Sequence, residues 1–131
     1  MYRFYNPNPS GSLTEEDCVL RALSYALDTT WDKIFLDLSM ECFNKKCIRM
    51  DRNDIWGSYL YKKGFRQHLV YDICPDCYTV ADFCRQHPRG LFILATGTHV
   101  LAVNDGIYYD SWDSGREHPI FYWQKEIENG D

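Results

Sequence analysis

The stretch from Gly90 to Ser111 constrains the fold more than any other part of the chain. Leu91-Phe92-Ile93-Leu94-Ala95 and His99 to Val103 are short apolar runs bounded by glycine, the pattern of central strands buried on both faces. Asn104-Asp105-Gly106 follows at once. That is a strong hairpin signal, because these residues tolerate the positive φ of a tight turn. Ile107 to Ser111 then reads as the returning strand, and Ile120 to Trp123 as a further one. The C-terminal part of the chain therefore predicts an antiparallel sheet.

Upstream the apolar spacing is helical. Thr14, with Asp17 three residues on, reads as a capping box opening a helix from about 15 to 27. Val19, Ala22, Leu23, Ala26 and Leu27 form its buried stripe. Thr29 or Thr30 caps a second helix carrying Trp31, Ile34, Phe35, Leu38 and Cys42. Asp51 caps a third, Arg52 to Lys63, with Ile55, Trp56, Tyr59 and Leu60 on one face and Gly64 to stop it. A short strand fits Phe65 to Tyr71, and Cys74-Pro75-Asp76-Cys77 reads as a loop. Thr79 and Asp82 make another capping box before Val80, Ala81, Phe83 and Cys84, and Pro88 closes that helix. Residues 1–13, with Asn6-Pro7-Asn8-Pro9-Ser10-Gly11-Ser12, predict an extended, irregular arm. Helices first and strands after them mean α+β, N-terminal helices packed on a C-terminal antiparallel sheet. At 131 residues the chain suits one domain, 1–131, with a real core.

Three residues on this scaffold carry chemistry. Cys18 falls in the first turn of the first helix, where the helix dipole favours thiolate over thiol. His99 opens an apolar strand, and Asp110 lies on the strand that returns. With Asp105-Gly106 as the turn, His99 faces Trp112 and shares a sheet face with Asp110; with Asn104-Asp105 as the turn, His99 faces Asp110 directly. A bulged three-residue loop would change the parity, and Asp113 is the fallback carboxylate. Cys, His and Asp together form a thiol acyl-transfer site: nucleophile, base and orienter. Asn6, Asn8 and Ser12 on the arm are candidates to complete an oxyanion hole. Glu15, Glu16 and Asp17 oppose a reactive thiol by crowding it with negative charge, so His99 must be adjacent for it to react.

Composition narrows the class. The net charge is −5, and no basic run exceeds Lys45-Lys46 or Lys62-Lys63, which disfavours nucleic acid as the main partner. No stretch approaches a membrane span, and Met1-Tyr2-Arg3-Phe4-Tyr5 lacks a signal-peptide core, so a cytoplasmic protein with reduced cysteines is expected. Cys42, Cys47, Cys74 and Cys77 form a looser constellation, two pairs that could hold zinc. No cofactor is expected for the thiol chemistry, and the sequence carries no signal of oligomeric state.

Asp17-Cys18 at a helix start, Thr98-His99-Val100-Leu101-Ala102-Val103 and Asp110 after the hairpin resemble the papain-like cysteine peptidase superfamily, in its compact bacterial branch that includes the bacteriocin leader peptidases. The Asn-Pro arm, the Asp-Cys-Val-x-Arg-Ala helix and the Tyr109-Asp110-Ser111-Trp112-Asp113 turn are also similar to small bacterial and phage proteins. The resemblance implies a helix packed on an antiparallel sheet, with nucleophile and base facing each other across a cleft. It implies a thiol hydrolase or acyl transferase acting on an amide or isopeptide bond of a protein or peptide. The superfamily usually places a Gln a few residues before the nucleophile, where Ser12 stands, and a small residue after it, where Val19 stands. The competing expectation is a catalytically idle binding protein of phage or mobile-element origin, which uses the same fold to block a host or defence protein.

Overall fold

The computed structural model describes residues 1–71 and 77–127. In chain order these residues form β1 (Tyr2–Phe4), α1 (Cys18–Ala26), α2 (Trp31–Lys45), α3 (Asn53–Lys62), β2 (Phe65–Leu69), α4 (Val80–Gln86), β3 (Leu91–Ala95), β4 (Val100–Asn104), β5 (Ile107–Asp110) and β6 (Phe121–Lys125). The fold is α+β. The strands form one sheet in the order β1-β5-β4-β3-β6-β2, antiparallel except where β1 runs parallel to β5. The predicted loop at Cys74-Pro75-Asp76 lies outside the described residues.

The two apolar runs are explained by burial on both faces of the sheet. Ile93, Ala95 and Val100 face a core shared with Val19, Leu23, Ile34, Leu38, Trp56 and Leu60 of α1, α2 and α3. Phe92, Leu94, Leu101 and Val103 face a second core with Val80, Phe83 and Cys84 of α4. With a helix layer on each side, alternate residues of a strand are both apolar and the polar alternation disappears. Leu23, Ile34, Leu38 and Ile93 are fully enclosed, each worth ~1.5–3 kcal/mol relative to exposure. Gly57 on α3 lets the Trp123 ring of β6 approach to 3.0 Å from where a Cβ would stand, so the absent side chain is filled by indole.

Helix starts depart from expectation where side chains have other uses. The first helix begins at Cys18, not near 15, and its N-cap residue is Asp17, not Thr14. Asp17 makes no capping hydrogen bond because its carboxylate is held by Arg21, Asn8 and Trp31. Asp51 does not cap α3; Arg52 is the N-cap residue and the Asp51 carboxylate takes two hydrogen bonds from Arg49. Thr30 does cap α2, accepting from the Lys33 N–H at 3.1 Å. Phe35, expected on the buried stripe of α2, is 40% exposed and stacks on Trp31. The Thr79–Asp82 capping box forms in both directions. The arm is not wholly irregular, since Tyr2–Phe4 adds an edge strand to β5, a pairing of high sequence separation that local pattern does not reveal.

Candidate active site

Cys18 is the first residue of α1, and α1 lies across β4 through the small side chains Ala22 and Ala26. His99 precedes β4 by one residue. A tight turn pins it: the His99 N–H donates to Thr96 Oγ1 at 3.0 Å, and the Thr96 N–H donates to the His99 carbonyl at 2.8 Å. The hairpin uses Asp105 and Gly106 as its turn, with φ of 50° and 79°, and Asn104 pairs with Ile107. That register points His99 toward Trp112, and the two rings sit 4.8 Å apart. It also brings Asp110 onto the imidazole, with His99 Nε2 and Asp110 Oδ2 at 2.5 Å.

Away from Asp110 the imidazole shares a cleft with Cys18, which lies near enough to favour its charged form. With Nε2 taken by Asp110, Nδ1 is the nitrogen left for sulfur. Burial opposes a charge on His99, but Asp110 and Cys18 more than offset it and lift its pKa to about 9 from 6.5. The structure therefore brings together Cys18, His99 and Asp110. Asp113, the fallback, is exposed and instead accepts from the Tyr108 hydroxyl at 2.5 Å.

Asp110 is 2% exposed and fully engaged. Besides His99 it accepts from Ser114 Oγ at 2.6 Å, from the Ser111 N–H at 2.8 Å and from Arg21 Nη2 at 3.3 Å. Arg21, itself 7% exposed, forms a salt bridge to Asp17 with its other terminal nitrogen. Asp17 also accepts from Trp31 Nε1 at 2.9 Å and from Asn8 Nδ2 at 3.1 Å. Sequence reasoning gave no role to Arg21, Trp31, Thr96 or Ser114. One signal was present for Arg21: a charge in an otherwise apolar helix, four residues after an acid, needs a buried partner.

The arm residues offered for an oxyanion hole are used elsewhere. Asn6 Nδ2 donates to the Ser12 carbonyl at 3.1 Å, Asn8 to Asp17, and Ser12 Oγ meets Thr14 Oγ1 at 3.2 Å on the surface. These bonds hold the Pro-rich arm in a compact turn. The zinc set is likewise not assembled among the described residues. Cys42 turns into the helical layer, the Cys47 sulfur bonds the Arg49 backbone, and Cys77 is disulfide-bonded, against the expectation of a free thiol there. Cys74 lies outside the described residues.

Cys18 and His99 open into a cleft of about 240 Å³ whose walls include Thr98, Arg49 and Asp51 of the loop before α3, and Asn53, the first residue of α3. A larger groove of about 430 Å³ between α2 and α3, lined by Lys33, Asp37, Tyr59 and Lys62, carries no cysteine or histidine. Among the described residues no helix is long and apolar enough to cross a membrane. Comparison of the chain with known protein families, with curated proteins and with solved structures finds no match.

Proposed function

We propose that the chain is a papain-like thiol hydrolase or acyl transferase acting on an amide or isopeptide bond. Cys18 is its nucleophile, His99 its base and acid, and Asp110 the orienter. One observation carries the reading: a single buried imidazole is held by a carboxylate and shares its cleft with the Cys18 thiol. The reactive form is the ion pair in which the thiol proton already rests on His99, and the sulfur attacks the acyl carbon. The oxyanion is received by the N–H groups of the first turn of α1, which no side chain caps. His99 then gives its proton to the leaving amine. Water, or a second amine, releases the acyl group from sulfur by the same steps in reverse. The order of parts supports the papain-like assignment: nucleophile at a helix start, base at the mouth of one strand, carboxylate on its antiparallel neighbour. A protein or peptide is the substrate class that carries such a bond.

The test is site-resolved alkylation with iodoacetamide at pH 6–7. Cys84 is the internal control, because burial raises its thiol to about 11. Cys18 is expected to label first, and His99→Ala to erase the preference. Equal labelling of Cys18 and Cys84 in the native protein would sink the proposal. Incubation with a peptide-amide library, read by mass spectrometry against Cys18→Ala, then separates cleavage, deamidation and amine transfer.

A second reading has one observation in its favour. Asn6, Asn8 and Ser12 of the arm are each engaged in hydrogen bonds to other residues. On that reading the protein binds a protein target of host or defence origin with the triad idle. It predicts a labelled Cys18 without turnover of any amide.

A further inference from the structure

We propose that Arg21 is a positioning residue, locking the nucleophile's helix to the carboxylate that orients the base. The inference rests on the thiol-site reading above. Arg21 stands three residues after Cys18, on the next turn of α1, and its guanidinium lies between two buried carboxylates. One belongs to Asp17, the residue before the nucleophile, and the other to Asp110, which holds His99. A single planar group thus ties the start of α1 to the end of β5. The separation of Cys18 from His99 is set across that same gap. An arginine fork offers a separate terminal nitrogen to each carboxylate in one fixed plane, whereas an ammonium must serve both from a single nitrogen.

A purely stabilising role explains the arrangement poorly. Buried ion pairs are commonly no better for stability than apolar side chains of equal size. Arg21 Nε, moreover, is a buried donor with no partner among the described residues. Asp17 already has Trp31 and Asn8 as donors, and Asp110 already has Ser111 and Ser114. What only Arg21 adds is the bridge. It also balances charge: without it two carboxylates would share a buried region with His99 as the remaining cation. The other titratable groups facing this cluster are Cys18 itself, Tyr2, whose hydroxyl donates to the Asp110 carbonyl at 3.1 Å, and, across the cleft, Arg49 and Asp51.

The experiment is the pH profile of iodoacetamide alkylation at Cys18 in the full chain, for the native protein, Arg21→Met and Arg21→Lys, with circular dichroism to confirm folding. The native protein is expected to keep a fast Cys18 at pH 6.5. Arg21→Met is expected to move the acid limb up by about one pH unit, so that labelling at pH 6.5 slows about tenfold while the rate at pH 9.5 stays within about threefold. Arg21→Lys keeps the charge but loses the span, and its limb is expected about half a unit above the native one. A folded Met variant with a native profile overturns the proposal. So does a Lys variant with a native profile, which would reduce Arg21 to a charge. If Arg21→Met does not fold, the Lys variant decides; if neither folds, Arg21 is a stability residue and the proposal fails. An ordinary thiol profile in the native protein would instead remove the thiol-site reading itself.

Discussion

Asp110→Asn removes one negative charge and keeps the shape of the side chain. In the native fold His99 titrates near 9 rather than 6.5, a preference for imidazolium of about 3 kcal/mol at ~1.4 kcal/mol per pH unit. Burial works against that preference, while Asp110 and Cys18 supply it. Asp110 contributes a contact at 2.5 Å and a full charge. Without that charge, desolvation is expected to hold the midpoint of His99 at or below 6.5. The sign for stability follows from linkage. A folded pKa above the unfolded one gives stabilisation that is fully present below pH 6.5 and is lost as pH rises toward 9. The native protein should therefore lose about 3 kcal/mol across that window, or about 10 °C in Tm, beyond what other groups contribute. The variant starts lower because Arg21 loses a partner, but it should lack this slope. The assay is a titration of the His99 Cε1–H resonance together with thermal unfolding from pH 6 to 9.5, native against Asp110→Asn. A His99 midpoint that moves by less than one pH unit, or parallel Tm profiles for the two proteins, would refute the assignment of Asp110 as the group that charges the imidazole.

Three further substitutions test the supports of the site. Thr79→Ala removes the side-chain cap of α4, which accepts from the Asp82 N–H at 3.2 Å, and should cost ~1 kcal/mol in urea unfolding; no loss would mean that Asp82 alone maintains the helix start. Gly115→Ala drives a methyl group into the Tyr108 hydroxyl and its bond to Asp113, an overpacking expected to cost ~1–3 kcal/mol. Tyr108→Phe in the same chain should recover part of that loss, and no recovery would place the strain elsewhere. Trp31→Phe keeps the stack on Phe35 but deletes the indole N–H to Asp17. It should lower stability by ~1–2 kcal/mol, and a neutral result would show that water replaces the donor.

Much of this fold is legible in local pattern, because local pattern is what forms it. The Asp-Gly turn dictates its own positive φ values, and from them follow the register of β4 and β5 and the meeting of His99 with Asp110. The Thr79–Asp82 box and the Thr30 cap are contacts within four residues of chain. What the sequence hid depends on distant partners. Tyr2–Phe4 becomes a strand only because β5 presents an open edge. Asp17 resembles the end of a capping box, yet tertiary contacts with Trp31 and Asn8 draw its carboxylate away from the helix start. The same competition displaces Asp51, which pairs with Arg49 instead of capping α3.

The acidic run before Cys18 shows how a count of charges in sequence differs from the field they make in space. Glu15, Glu16 and Asp17 directly precede Cys18, and in sequence all three oppose a thiolate. In the fold Glu15 and Glu16 are exposed, where water and salt screen them. Asp17 is the buried one, and its charge is compensated where it sits by a guanidinium and two neutral donors. The cation that compensates it is shared with Asp110, so the acid beside the sulfur and the acid behind the imidazole belong to one buried network. In the proposed site, passage of a proton from Cys18 to His99 leaves the net charge of that network unchanged. It only moves one proton between two groups whose surroundings are already fixed, and a buried site can accommodate that without drawing charge from solvent.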